Sequence, residues 1–172
     1  MRHRLLAGIS FAALLACGPS ASAATTTFLF TGAVQTFTAP TTGTYQILAF
    51  GAQGGSGGAT GAAGGGGAEI GGDFSLTAGE TLGIFVGGAG GSAIKGGGGG
   101  GGSFVIQPVS AKLVIAGGGG GYNGSGGGGG GSFDAGVDQV LKAGVQAGDG
   151  EVMITSLRLG RLCPCLSPRP WR

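Results

Sequence analysis

The stretch Gly43-Thr44-Tyr45-Gln46-Ile47-Leu48-Ala49-Phe50 runs without a break into Gly51-Ala52-Gln53-Gly54-Gly55. Its first eight residues read as a β-strand, rich in aromatic and β-branched side chains, with alternate residues sharing a face. Tyr45, Ile47 and Ala49 fall on one side, and Gln46, Leu48 and Phe50 on the other. Apolar side chains on both sides mean that both are at least partly covered, which favours a sandwich over a one-sided sheet. The residues that follow carry almost no side chain. The fold therefore turns on how strands of this kind combine with glycine.

Working outward, residues 25–30 and 34–37 read as earlier strands. Pro40, which has no amide hydrogen to give a sheet, and the turn residues Thr41-Thr42-Gly43 force a break before the third. Residues 68–76 and 81–86 flank Ala78-Gly79-Glu80 and are expected to form a hairpin, as are 103–107 and 112–116. Residues 151–157 alternate Val152, Ile154 and Ser156 against Met153, Thr155 and Leu157 and read as the closing strand. About eight short strands result. Helix is nearly absent, the one candidate being 137–145, which Gly144 weakens.

Of 172 residues, 46 are glycine, and 37 of these lie between Gly51 and Gly131. Charged residues make up 9%, well under the usual quarter. Between Ala24 and Leu157 three lysines and no arginine stand against all seven acidic residues, so the body has a net charge of −4. Nucleic-acid binding needs clustered cations with aromatic or amide readers, and is not expected. Length allows one domain and excludes a kinase or a large enzyme barrel.

Four glycine tracts separate the strands, bounded by Gly64 and Gly67, Gly96 and Gly102, Gly117 and Gly121, and Gly126 and Gly131. Two of them lead into the same pair, Ser103-Phe104 and Ser132-Phe133, and Phe104 and Phe133 are the candidate anchors of the tract ends. Ordering a glycine backbone costs at least the ~1 to 2 kcal/mol of an ordinary residue, and no side-chain burial offsets it. The tracts are then either flexible linkers or packed against one another, main chain to main chain. The packed form is an extended helix of three residues per turn, rising about 3.1 Å per residue, with every amide and carbonyl turned outward. Weak Cα–H contacts to carbonyl oxygens assist such packing. In a bundle, a bulky side chain at a mid-tract position such as Gly99 is expected to lower the melting temperature by several degrees.

The amino end reads as a secretory signal peptide over 1–23, with Arg2, His3 and Arg4 before an apolar run and Ala21-Ser22-Ala23 before a cleavage point between Ala23 and Ala24. The apolar run is too short for a permanent span, and no later segment of the mature chain is long and apolar enough to cross a membrane. Leu14-Leu15-Ala16-Cys17 offers the alternative of a lipoprotein anchored through Cys17. The expected location is secreted or extracytoplasmic. Residues 24–157 make the glycine-rich β-domain, and 158–172 read as a basic, disordered tail containing Pro, Cys163 and Cys165.

Familiar chemistries fail on spacing. A nucleotide-binding P-loop ends in Gly-Lys-Ser/Thr, whereas Lys95 follows Ile94 and Lys142 follows Leu141. Between Ala24 and Leu157 there is no histidine or cysteine, which removes histidine-based hydrolase triads and zinc shells. The carboxylates Glu69, Asp73, Glu80, Asp134, Asp138, Asp149 and Glu151 show no spacing that demands a pair, and no EF-hand pattern. No catalytic residue, cofactor or metal is expected.

The run 37–55, continuing through Gly66-Gly67-Ala68-Glu69-Ile70-Gly71-Gly72-Asp73-Phe74, Leu82-Gly83-Ile84-Phe85-Val86-Gly87-Gly88-Ala89-Gly90, residues 96–105 and Leu113-Val114-Ile115-Ala116 with its following glycines, resembles the glycine-rich extracellular domain of the anaplastic lymphoma kinase and leukocyte tyrosine kinase family. The resemblance covers roughly 25–157 and is shared by small secreted bacterial-type proteins. It implies an all-β fold, a jelly-roll-like β-sandwich with inserted parallel polyglycine II helices, and a binding or display role. No kinase motif accompanies it. The expected function is non-enzymatic: surface interaction, adhesion or matrix structure, with a surface protein or a glycan as partner. A passive wall or matrix filler and a sandwich-fold polysaccharide hydrolase are the alternatives.

Overall fold

The structure, a computed structural model, describes residues 23–58, 61–107, 111–122 and 129–157. Ten strands follow one another: β1 (Thr25–Leu29), β2 (Gln35–Thr38), β3 (Gly43–Phe50), β4 (Gly67–Leu76), β5 (Thr81–Phe85), β6 (Ser103–Ile106), β7 (Lys112–Ala116), β8 (Phe133–Asp134), β9 (Val137–Gln146) and β10 (Glu151–Leu157). They form two antiparallel five-stranded sheets, ordered β1-β10-β3-β4-β9 and β2-β5-β6-β7-β8. The fold is an all-β sandwich.

Its core is one cluster drawn from both sheets. Tyr45, Ile47, Ala49, Ile70, Phe74, Val152 and Ile154 from the first sheet meet Leu82, Ile84, Val105, Val114 and Ala116 from the second. The alternation in β3 reads directly: Tyr45, Ile47 and Ala49 are buried, while Gln46, Leu48 and Phe50 are half-buried on the other face. Phe37 of β2 lies between Phe28 and Tyr45, with ring centroids 6.4 and 5.9 Å away in edge-to-face geometry, so aromatic contact bridges the sheets.

Two expectations require correction. Residues 137–145, the helix candidate, belong to β9, an outer strand paired with β4. Three valines, and a Gly144 held at φ 68°, disfavour a helix there, and the free edge of β4 supplies hydrogen-bond partners. The expected hairpin of β4 and β5 does not form either. The two strands lie in opposite sheets, and the connection through Gly79, at φ 84°, crosses between them. That crossing is held by Gly79 N donating to Ala39 O (2.8 Å) and by Ala39 N donating to Glu80 O (2.8 Å). The hairpin of β6 and β7 is present.

The break at Pro40 is closed by a side chain. The Tyr45 hydroxyl, on a residue only 2% exposed, donates to Thr41 O (2.7 Å), folding the turn back over the strand that follows it. Tyr45→Phe keeps the packing and removes this bond, so a loss of about 1 kcal/mol is expected, read as a fall of a few degrees in thermal melting followed by circular dichroism.

Candidate functional site

The glycine segments all leave from one end of the sandwich. Phe50, at the end of β3, is opposite Glu69 near the start of β4 and Glu151 at the start of β10. In the second sheet, Phe85 at the end of β5 is opposite Phe104, and Ser103 at the start of β6 is opposite Ala116 at the end of β7. The connections β3–β4, β5–β6, β7–β8 and β9–β10 therefore gather over the same end, where they bond to each other.

Segment 51–57 is the centre of that assembly. Its Gly51, Gly54 and Gly57 amides donate to Ala68, Gly65 and Ala62, each at 2.9 Å. Ala52 and Gly55 donate to Gly101 (2.9 Å) and Gly98 (2.7 Å), and accept from Gly119 (2.8 Å) and Tyr122 (3.0 Å). The carbonyls of Gln53 and Ser56 accept from Gly90 (2.8 Å) and Ala93 (3.2 Å). This segment thus bonds to four others that each return at every third residue, and Gln53 N adds a single bond to Gly148 O (2.8 Å).

The outer segments bond among themselves in the same rhythm. Gly98 and Gly101 donate to Gly91 and Gly88, Gly97 and Gly100 to Tyr122 and Gly119, and Gly65 and Ala68 to Gly120 and Gly117. Gly130 donates to Gly118 (2.8 Å). Directions are mixed: relative to 51–57, segments 90–93 and 119–122 run parallel, while 62–68 and 98–101 run antiparallel, because their numbers fall as its numbers rise. The expectation of uniformly parallel tracts is corrected by this pattern. Gly117 to Gly121 are all buried, although none has a side chain to bury.

Close approach explains the composition. A Cβ at Gly51 would overlap the Gly117 carbonyl, at Gly54 that of Gly120, at Gly64 that of Gly54, at Gly67 that of Gly51, at Gly119 that of Gly65 and at Gly121 that of Gly97. Hydrogen alone fits at these Cα atoms. Within 96–102 the blocked positions are Gly97 and Gly100, three apart. A Cβ on Gly99 would find only the Gly119 oxygen, at 3.8 Å, and one on Gly131 would find nothing within 4 Å. Gly99 therefore lies in a bonded tract but turns its Cα–H outward, and the mid-tract expectation attached to it belongs to Gly97 and Gly100. Gly102 sits against Ala116 O, and Gly96 donates to Ala93 O at 3.1 Å. Gly126 and Cys17 lie outside the described residues, as do 1–22 and 158–172. Ala24 is within the first sheet's bonding, its amide donating to Ser156 Oγ (3.1 Å).

The serines of the two Ser-Phe pairs tie the tract ends. Ser103 is fully buried; its Oγ donates to Phe50 O (2.6 Å) and accepts from Gly87 N (3.1 Å), joining both sheets at the base of the bundle. Ser132 Oγ accepts from Gly117 N (3.0 Å). Phe104 and Phe133 lie on the outer face of the second sheet, 37% and 47% exposed, and the Phe104 ring packs against Gly102 at the end of its tract. Two further ties escape sequence reasoning: Gln53 Oε1 accepts from Gly148 N (3.0 Å), and Asp149 Oδ1 from Ala89 N (2.7 Å).

Glu69, Glu80, Asp134 and Asp149 have structural partners. Glu69 pairs with Lys142 (3.0 Å), Glu80 accepts from Thr77 N (2.9 Å) and from Gln107, and Asp134 Oδ1 accepts from Gly136 N (2.7 Å). Asp73 Oδ1 and Asp134 Oδ2 are buried without a hydrogen-bond partner. Among the described residues no three His, Cys, Asp or Glu side chains come together as a metal site requires, and no helix is long and apolar enough to cross a membrane.

Two substitutions separate the inward and outward positions of the bundle. Gly119→Ala is expected to cost at least about 2 to 3 kcal/mol through overpacking, whereas Gly99→Ala is expected to change stability by less than about 0.5 kcal/mol, both read by denaturant unfolding. Searches against family models and curated proteins return no match for the chain.

Proposed function

We propose that the chain is an exported, non-enzymatic glycine-rich β-domain that serves surface interaction, adhesion or matrix structure, its glycine segments forming polyglycine II helices fused to the sandwich. The observation that carries this reading is the main-chain bonding of segment 51–57 to four neighbours with a three-residue recurrence. Such bonding gives a rigid body without disulfides or metal. The engagement of Glu69, Glu80 and Asp149 in ion pairing and backbone capping fits a structural use of the carboxylates rather than a reaction centre. The family resemblance of residues 25–157 supports the same role. Secretion and removal of 1–23 place the domain outside the cytoplasm, and its partner is a surface protein or a glycan.

The helices are tested by hydrogen exchange. Amides of Gly119, Gly98 and Gly101 are expected to exchange as slowly as those of β3, and rapid exchange at these glycines with protected strands overturns the bundle. The role is tested by incubating the labelled mature chain with the cell surface of the producing organism. Saturable retention is expected, and retention no greater than that of an unrelated protein of similar charge overturns it.

A further inference from the structure

We propose that the outer face of the second sheet is a binding platform for an extended, uncharged polysaccharide. The proposal deepens the surface-interaction reading and rests on it. Phe85 of β5 is opposite Phe104 of β6, Phe104 is opposite Ile115 of β7, and Ile115 is opposite Phe133 of β8. Directly paired residues share a face, so these four side chains form one row across four strands, roughly 14 Å long at the usual strand spacing. The Phe85 and Phe104 rings are 6.3 Å apart. Ile106 joins the row beside Phe104; Phe85, Phe104, Ile106 and Phe133 are 37–47% exposed, and Ile115 between Phe104 and Phe133 is half-buried.

Size and charge decide the occupant. Four side chains of this kind, exposed to that degree, leave roughly 300 to 400 Å² of apolar surface, the scale of a functional patch on a monomer. A stable protein partner, or a second copy of this chain, needs about 800 Å² on each side. A narrow ligand fits better. Pyranose rings with equatorial hydroxyls present a C–H face to an aromatic ring and hydroxyls at their rim. The row offers the match: Thr36 and Thr38 of β2, opposite Gly83 and Thr81, are exposed on the same face beside the rings. The row itself holds no charge, and Lys112, opposite Ile106, is a cation at its margin. An acidic glycan would call for clustered cations, which the face lacks.

The test uses the full mature chain with suspended cellulose, chitin and a linear β-1,3-glucan, bound protein being measured by depletion. Retention by at least one polymer is expected, insensitive to 0.5 M salt as an uncharged contact requires, with Phe104→Ala and Phe133→Ser each weakening it about tenfold or more. Melting within a few degrees of the parent shows that these exposed substitutions leave the fold intact. Binding to none of the three, or equal binding by both variants, overturns the platform. So does a concentration-dependent dimer that Phe104→Ala abolishes, which assigns the face to a second copy. Retention on the producing cell surface that both variants preserve also overturns the platform and leaves the surface-interaction reading standing; absence of any such retention by the parent chain removes that reading itself.

Discussion

The structure depends on a contact that no side chain makes, the approach of one main chain to another across a bare Cα. At Gly51, Gly67, Gly118 and Gly119 the neighbouring carbonyl occupies the volume a methyl group would need. Glycine is required at such positions for what it lacks, and only at some of them for its access to positive φ. The high glycine content follows from there being many facing surfaces, since each segment has neighbours on several sides and each side needs its own row of bare Cα atoms.

Such a contact is weak taken singly. A backbone hydrogen bond nets only about 0.5 to 1.5 kcal/mol, against the large conformational entropy of the glycine that makes it. The sandwich changes that balance by holding the segment ends. Gly51 leaves β3, Gly67 opens β4 and Gly117 leaves β7; pairing of β3 with β4 sets the first two side by side, and packing of the second sheet on the first brings up the third. Ser103 completes the joint: its hydroxyl takes the Phe50 carbonyl of one sheet and the Gly87 amide from the end of the other, and Gly150 N donates to Gly87 O (2.8 Å) beside it.

Much of the sandwich was legible because its strands announce themselves by side chain. β3, β7 and β10 are centred on β-branched and aromatic residues, Tyr45 and Ile47, Val114 and Ile115, Val152 and Ile154, and buried residues alternate in β3 and β10 as the sequence does. β9 was misread for the opposite reason. It is exposed along nearly its whole length, so no alternation was selected, and only pairing with β4 makes it a strand. The crossing between β4 and β5 was hidden because a short turn at Gly79 serves a hairpin and a sheet-to-sheet crossing equally well. Within the tracts nothing was legible residue by residue. All seven positions from Gly96 to Gly102 look alike, and which of them turns inward is a phase set by neighbours distant in sequence. The Ser-Phe echo marks two contacts at the tract end: Ser103 makes the hydrogen bonds, and the Phe104 ring packs on Gly102.

Dependence also runs from the bundle back to the sheets. A sandwich whose four connections were loose at one end would have its strands tethered by long free loops, and the sheets would be joined at that end by side-chain contact alone. In this molecule segment 51–57, which leaves the first sheet, bonds directly to 90–93, 98–101 and 119–122, which connect strands of the second. Separating the sheets therefore requires breaking the bundle, and loosening the bundle frees the sheets. With no cysteine between Ala24 and Leu157, the domain gains from the main chain the cross-linking that a disulfide would otherwise supply.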